Sequence, residues 1–156
     1  MAQTIEVNGI EELKNRLDSI MRESHDMRES IHTRVAVEMK RIVAGNVRHN
    51  LPNHDMHMTV QGWQTPHVGS GGGYAAVRAT NVTSGDDSPG AITNYLENGH
   101  KVRVALTVKA QHRSKSKKMR VVGYGFYADS KTQAKRLAIE ASDELTRWVK
   151  GKIEGK

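Results

Sequence analysis

The chain has 156 residues and a mass of 17.3 kDa, the size of one domain. It carries 24 basic and 17 acidic side chains for a formal charge of +7, with 37% hydrophobic residues and only one Phe, two Trp and four Tyr. No apolar run approaches the ~18 residues of a membrane span, no basic-then-apolar secretory pattern opens the chain, and the lack of Cys excludes a disulfide scaffold, a thiolate metal site and a Cys nucleophile. The expectation is a soluble, intracellularly made globular protein with a modest, aliphatic, Met-containing core.

Ile10, Leu13, Leu17, Ile20, Ser24, Met27 and Ile31 recur in steps of three and four. Val35, Met39, Ile42 and Val43 continue the stripe, which places all of them on one helix face. Asn8 is the expected N-cap, and Glu11 and Glu12 suit the positive first turn. The pattern ends at Leu51-Pro52-Asn53. As one rod, residues 10–50 would extend about 60 Å. That length predicts either a break near Ser24–Arg28 or a projection onto a neighbour.

Residues 52–73 are rich in His, Gly, Thr and Pro and show little periodicity, and residues 69–73 read as a flexible loop. Residues 74–82 have strand character, and residues 84–90 are dense in turn formers. Val102, Val104, Leu106 and Val108 then alternate with Lys101, Arg103, Ala105, Thr107 and Lys109, the pattern of a strand with one buried and one cationic face. Residues 111–118 form a polar basic connection, and residues 119–127 resume as a strand, which completes a β-hairpin with a long charged tip. Ser130 with Gln133 matches a capping box. It precedes the stripe Ala134, Leu137, Ala138, Ala141, Leu145, Trp148, Val149 and Ile153.

This order predicts an α+β fold: a long N-terminal helix, an antiparallel β-sheet with a long basic hairpin, and a C-terminal helix packed on the sheet. Both helices are expected on one face of the sheet, with Leu13, Leu17, Ile42, Leu137, Ala141 and Leu145 buried.

Charge is unevenly placed. Residues 1–100 hold nine basic and twelve acidic side chains, whereas residues 101–156 hold fifteen basic and five acidic ones. No acid occurs between Glu97 and Asp129. Such asymmetry points to a polyanionic partner or an acidic protein surface, set against the plainer reading of a solvated basic loop.

Catalytic and metal-binding motifs are missing. His49, His54, Asp55 and His57 lie close in sequence, but without an established ligand spacing such as His-Glu-x-x-His, so no metal site is assigned. The glycines of 69–73 are followed by Tyr74-Ala75-Ala76 rather than by the Gly-Lys-Ser/Thr of a phosphate loop. No Gly-x-Ser-x-Gly marks a nucleophile. The expectation is a non-enzyme with no catalytic residue and no cofactor. The basic hairpin lacks interleaved aromatics, which disfavours base stacking on single strands but leaves contact with phosphates open.

The segment Asn94-Tyr95-Leu96-Glu97-Asn98-Gly99-His100 resembles the Tyr-apolar-Glu-x-Gly-Thr/His fingerprint of a family of small tailed-bacteriophage structural proteins. These are the minor tail components also described as neck, tail-completion or head–tail joining proteins. The order of elements is similar to theirs, including a strand end, here Gly123-Tyr124-Gly125-Phe126-Tyr127, that leads into the last helix. Where many members carry Thr-Gly-x-Leu-Arg-x-Ser after the first helix, this chain has Thr59-Val60-Gln61-Gly62-Trp63.

The resemblance implies a virion protein, made in the bacterial host cytoplasm and located in the neck or tail. It would form a homo-oligomeric ring, often of six copies, between the head connector and the tail terminator or tail tube. The chain then reads as a single domain over 1–156, with a helix region (8–50), a turn-rich and strand region (52–93), the fingerprint and hairpin (94–128) and the C-terminal helix (130–154).

Tyr95, Leu96, Glu97, Gly99 and His100 are the fingerprint residues. Physically, Tyr95 and Leu96 supply apolar anchoring, Gly99 permits a left-handed turn end, and Glu97 holds a cation or a backbone amide. Arg113, Lys115, Lys117 and Lys118 are expected to face either channel DNA or a neighbouring ring. The alternative function is a non-specific DNA-binding module using the basic hairpin. With few aromatics for a strong interface, the isolated protein is expected to be a monomer or weak oligomer.

Overall fold

The computed structural model describes residues 9–80, 83–101 and 120–155. Helix α1, Ile10–Asn50, is one unbroken rod of 41 residues and about 60 Å, so the break considered near Ser24–Arg28 is absent. The expected cap Asn8 lies outside the described residues. Gly9 caps the helix in the left-handed conformation, without a side-chain hydrogen bond. The helix stops at Leu51, whose extended backbone is the one that a following proline favours.

Two residues on, the Asn53 side chain accepts the Asp55 N–H (2.8 Å) and starts α2, His54–Trp63. This helix corrects the reading of residues 52–73 as aperiodic. Its inward residues Met56, Val60 and Trp63 do follow helical spacing, but over too few turns to stand out.

Strand β1, Gln64–Val68, pairs antiparallel with β2, Ala75–Ala79, with Gln64 opposite Ala79 and Val68 opposite Ala75. The intervening glycines form a 3-10 turn, Ser70–Gly72, rather than a loose loop. Gly72 presses on α1 so closely that a Cβ there would meet the Glu29 backbone nitrogen at 2.7 Å. The chain continues through α3, Pro89–Asn98, capped by Ser88, and β3, Gly99–Lys101. Strand β4, Arg120–Val122, pairs with β3 in register His100 to Val121, so the base of the expected hairpin is present. Residues 102–119, which carry the rest of that predicted hairpin and its charged tip, lie outside the described residues.

The last helix, α4, spans Phe126–Glu154. It begins four residues before Ser130, inside the segment expected to be a strand. Ser130 is therefore no N-cap: its hydroxyl donates to the Phe126 carbonyl (2.8 Å) from within the first turns.

The fold is thus α+β and mostly helical, with a long first helix, a long last helix and antiparallel strand pairs. Among the described residues the strands make two separate two-stranded ladders rather than one sheet. Helix α4 lies chiefly along α1, and the β1–β2 pair also rests on α1. The two long helices run antiparallel. Asn46 meets Ser130 (2.8 Å) near one end, Arg34 meets Glu144 midway, and Glu23 meets Lys152 (2.6 Å) near the other.

The core lies at the C-terminal end of α1, where Val43, Val47 and Leu51 meet Val60 of α2 and Phe126 of α4. The expected burial of Leu13 and Leu17 is not found: they are 46% and 45% exposed. Ile42, Leu137, Ala141 and Leu145 are only half-buried. The reason is geometric. Three or more elements converge near residue 47, whereas among the described residues the first turns of α1 run beside α4, and one neighbour covers only part of a helical stripe.

Truncating Phe126 to Ala should therefore cost about 3–5 kcal/mol, since its ring is wholly buried at the centre of the core. Leu13→Ala should cost well under about 1 kcal/mol. Urea denaturation of both variants checks this, and similar losses would contradict the placement of the core.

Candidate assembly site at the base of the hairpin

The fingerprint residues end α3 and begin β3. Glu97 is in the last turn of α3, and its carboxylate reaches across to the first turn of α4. Its Oε2 accepts the Tyr127 N–H (2.8 Å) and its Oε1 the Ala128 N–H (2.9 Å). The N-cap of α4 is Gly125, which has no side chain with which to cap its own helix. A helix start leaves amides without internal partners, and it favours negative charge. Glu97 supplies both the acceptors and the charge from another element. Of the two sequence readings for Glu97, cation or backbone amide, the structure has the amide, on the helix that follows the hairpin.

The exchange is reciprocal. Two carbonyls at the end of α3 lack partners within the helix, and they accept from the strand leading to α4: Leu96 from Tyr124 N–H (2.7 Å) and Glu97 from Gly125 N–H (3.1 Å). Such close crossing requires bare backbone. Gly99 has φ +70, and a Cβ on it would meet the Val121 carbonyl at 2.1 Å. A Cβ on Gly123 would meet the Glu97 carbonyl at 2.1 Å.

The joint is tied to α1 by two asparagines. Asn50 donates to the Tyr124 carbonyl (2.8 Å) and to Asp129 (2.7 Å), and Asn46 donates to Ser130. Beneath it, the Tyr127 hydroxyl donates to the side-chain oxygen of the fully buried Gln64, whose amide nitrogen donates to the Val60 carbonyl (3.1 Å). Burial, and secondarily the nearby Glu97 charge, push the Tyr127 phenol up to about 12.

The remaining fingerprint side chains have separate tasks. Leu96 packs against the core, and Tyr95 stacks obliquely with His100, their ring centres 5.4 Å apart. Arg113, Lys115, Lys117 and Lys118 lie outside the described residues.

At the hairpin base, Lys101 stands opposite Arg120, both exposed. Like charges directly across a strand pair destabilise it. His54 and His57 lie side by side, their ring centres 6.1 Å apart. His57 contacts the Leu51 carbonyl, His54 pairs weakly with Asp55 (3.7 Å), and no group of three or more metal-ligating residues exists among the described residues. Sequence reasoning missed Gln64, Asn46, Asn50 and Tyr127. Their partners are 63 to 84 residues away along the chain, and no local pattern signals such bonds.

No protein-family model, curated protein or solved structure matches this chain. No helix among the described residues is long and apolar enough to cross a membrane.

Glu97→Ala should cost about 2–3 kcal/mol, because it leaves two first-turn amides without their charged acceptor. Glu97→Gln, with one acceptor oxygen, should fall between. Urea denaturation of the pair would sink the capping role if both variants matched the wild type. Alkaline titration tests Tyr127. Its folded pKa lies above the ordinary value near 10, so deprotonation favours the unfolded chain. The resulting stability is complete below about pH 10 and is lost as pH rises toward 12. Tyr127→Phe should flatten that fall in a pH series of melting temperatures.

Proposed function

We propose that the protein is a structural virion component of a tailed phage, a neck or tail-completion ring subunit that joins the head connector to the tail. The observation that carries this reading is the fingerprint 95–100 acting as a rigid joint. One face holds the C-terminal helix by Glu97, and the other launches the strand into the acid-free, lysine-rich stretch. A scaffold of that kind fixes the start and end of a cationic stretch of sequence relative to a stiff helical pair. Its work is assembly, with subunits closing by contacts between unlike surfaces. Deleting the gene from the phage that carries it should leave DNA-filled heads and free tails unjoined in electron micrographs, and normal joined particles would overturn the reading.

A second reading, non-specific DNA binding by the basic hairpin, draws on the opposed cations Lys101 and Arg120. Two like charges placed across a ladder cost stability alone and gain it beside a polyanion. Lys101→Glu should raise the melting temperature of the free protein and weaken duplex DNA binding at low salt. Unchanged DNA affinity would remove this reading. Replacing Arg113, Lys115, Lys117 and Lys118 together by Ser should leave folding intact and impair head–tail joining or DNA retention. A normal infectious yield would mean that the run is only a solvated loop.

A further inference from the structure

A groove of about 320 Å³ lies between β2 and α3, lined also by Arg78, Glu97 and Tyr127, whose side chains are already paired elsewhere. On one wall is the outer edge of β2. Trp63 accepts from Thr80 (2.8 Å) and Tyr74 from Gly69 (2.9 Å), so the bonded pairs with β1 alternate through Arg78 and Ala76. Val77 and Ala79 therefore turn their N–H and C=O groups away from β1, and Pro66, opposite Val77, has no N–H to offer. No strand pairs with that edge among the described residues.

On the other wall is Thr93, only 3% exposed, whose hydroxyl has no hydrogen-bond partner among the described residues. A buried hydroxyl left unpaired is costly and uncommon. Beside it, the Asn98 amide nitrogen donates to the Asn94 side-chain oxygen (2.8 Å), which leaves the Asn94 amide nitrogen and the Asn98 amide oxygen directed to other partners. Gly90 completes the wall without bulk.

An open strand edge facing a hydroxyl, an amide donor and an amide acceptor suits an extended peptide main chain, with its alternating C=O and N–H groups. We propose that this groove receives residues 101–109 of a second copy of the chain. That segment has the longest period-two alternation in the sequence, and its Lys101, Arg103 and Lys109 complement Asp86 and Asp87 at the head of α3. Groove and segment are different surfaces, so the contact is head-to-tail and can close a ring. The inference rests on the ring reading for its purpose, but its test does not depend on whether virions join.

The chain has no Cys, which permits clean disulfide trapping. Full-length Ala79→Cys protein is mixed under mild oxidation with Val102→Cys, Val104→Cys or Leu106→Cys protein in turn. At one position of the scan, a covalent dimer containing one chain of each kind should form about tenfold faster than with the exposed control Val37→Cys. Adding Thr93→Val to the Ala79→Cys chain should slow trapping roughly fivefold or more. The same change should leave the melting temperature of the free protein unchanged or higher, since it removes an unpartnered hydroxyl. Rates equal to the control at every position, no effect of Thr93→Val on trapping, or closure within one double-cysteine chain at high dilution would each overturn the proposal. A ringless virion phenotype with successful trapping would count against the ring reading alone.

Discussion

The structure depends on one exchange of hydrogen bonds between two helix ends. The end of α3 has carbonyls without donors, the start of α4 has amides without acceptors, and each satisfies the other: Leu96 and Glu97 carbonyls take the amides of Tyr124 and Gly125, and the Glu97 carboxylate takes those of Tyr127 and Ala128. Helix ends buried without partners are unfavourable, so neither end is stable in this place without the other. The paired strands β3 and β4 are held beside both helix ends as a result. The β3–β4 pair is held to backbone precision by Gly99 and Gly123, where no side chain could be tolerated.

Everything else is arranged around α1. The rod is far longer than the core needs: its buried residues begin at Ile31 and continue through Ala36 to Val43 and Val47, and none lies in the described turns before Ile31. Long charged side chains, Arg34 with Glu144 and Glu23 with Lys152, bridge α1 and α4. Exposed ion pairs of this sort contribute little stability. They hold register, while apolar residues nearer the start of α1, Leu13 and Leu17 among others, remain accessible. The chain therefore has its packed core toward one end of α1 and exposed apolar surface toward the other.

Much was legible in the sequence because the signals were local. A 3.6-residue stripe sustained over many turns identifies α1 and most of α4 whatever surrounds them, Pro52 ends α1 by steric restriction of Leu51, and the α+β class follows from the order of periodicities. The short elements were harder. Helix α2 has only ten residues, and β1 contains Pro66 and two exposed neighbours, so neither gives enough repeats for a period to be read.

What only the tertiary structure decided has a common physical origin. The true start of α4 at Phe126 could not be found locally, because its cap is Glu97 rather than any neighbour in sequence. The role of Glu97, the pairing of Gln64 with Tyr127 and the anchoring asparagines of α1 are bonds across 30 to 84 residues. Burial followed the same division: periodicity identifies which face of a helix is apolar, but whether Val47 or Leu13 lies inside depends on how many other elements converge there. The sequence by itself determined the helices and their apolar faces, because those arise from contacts three and four residues apart. The joint, the core's position and the open edge of β2 arose only when distant segments met.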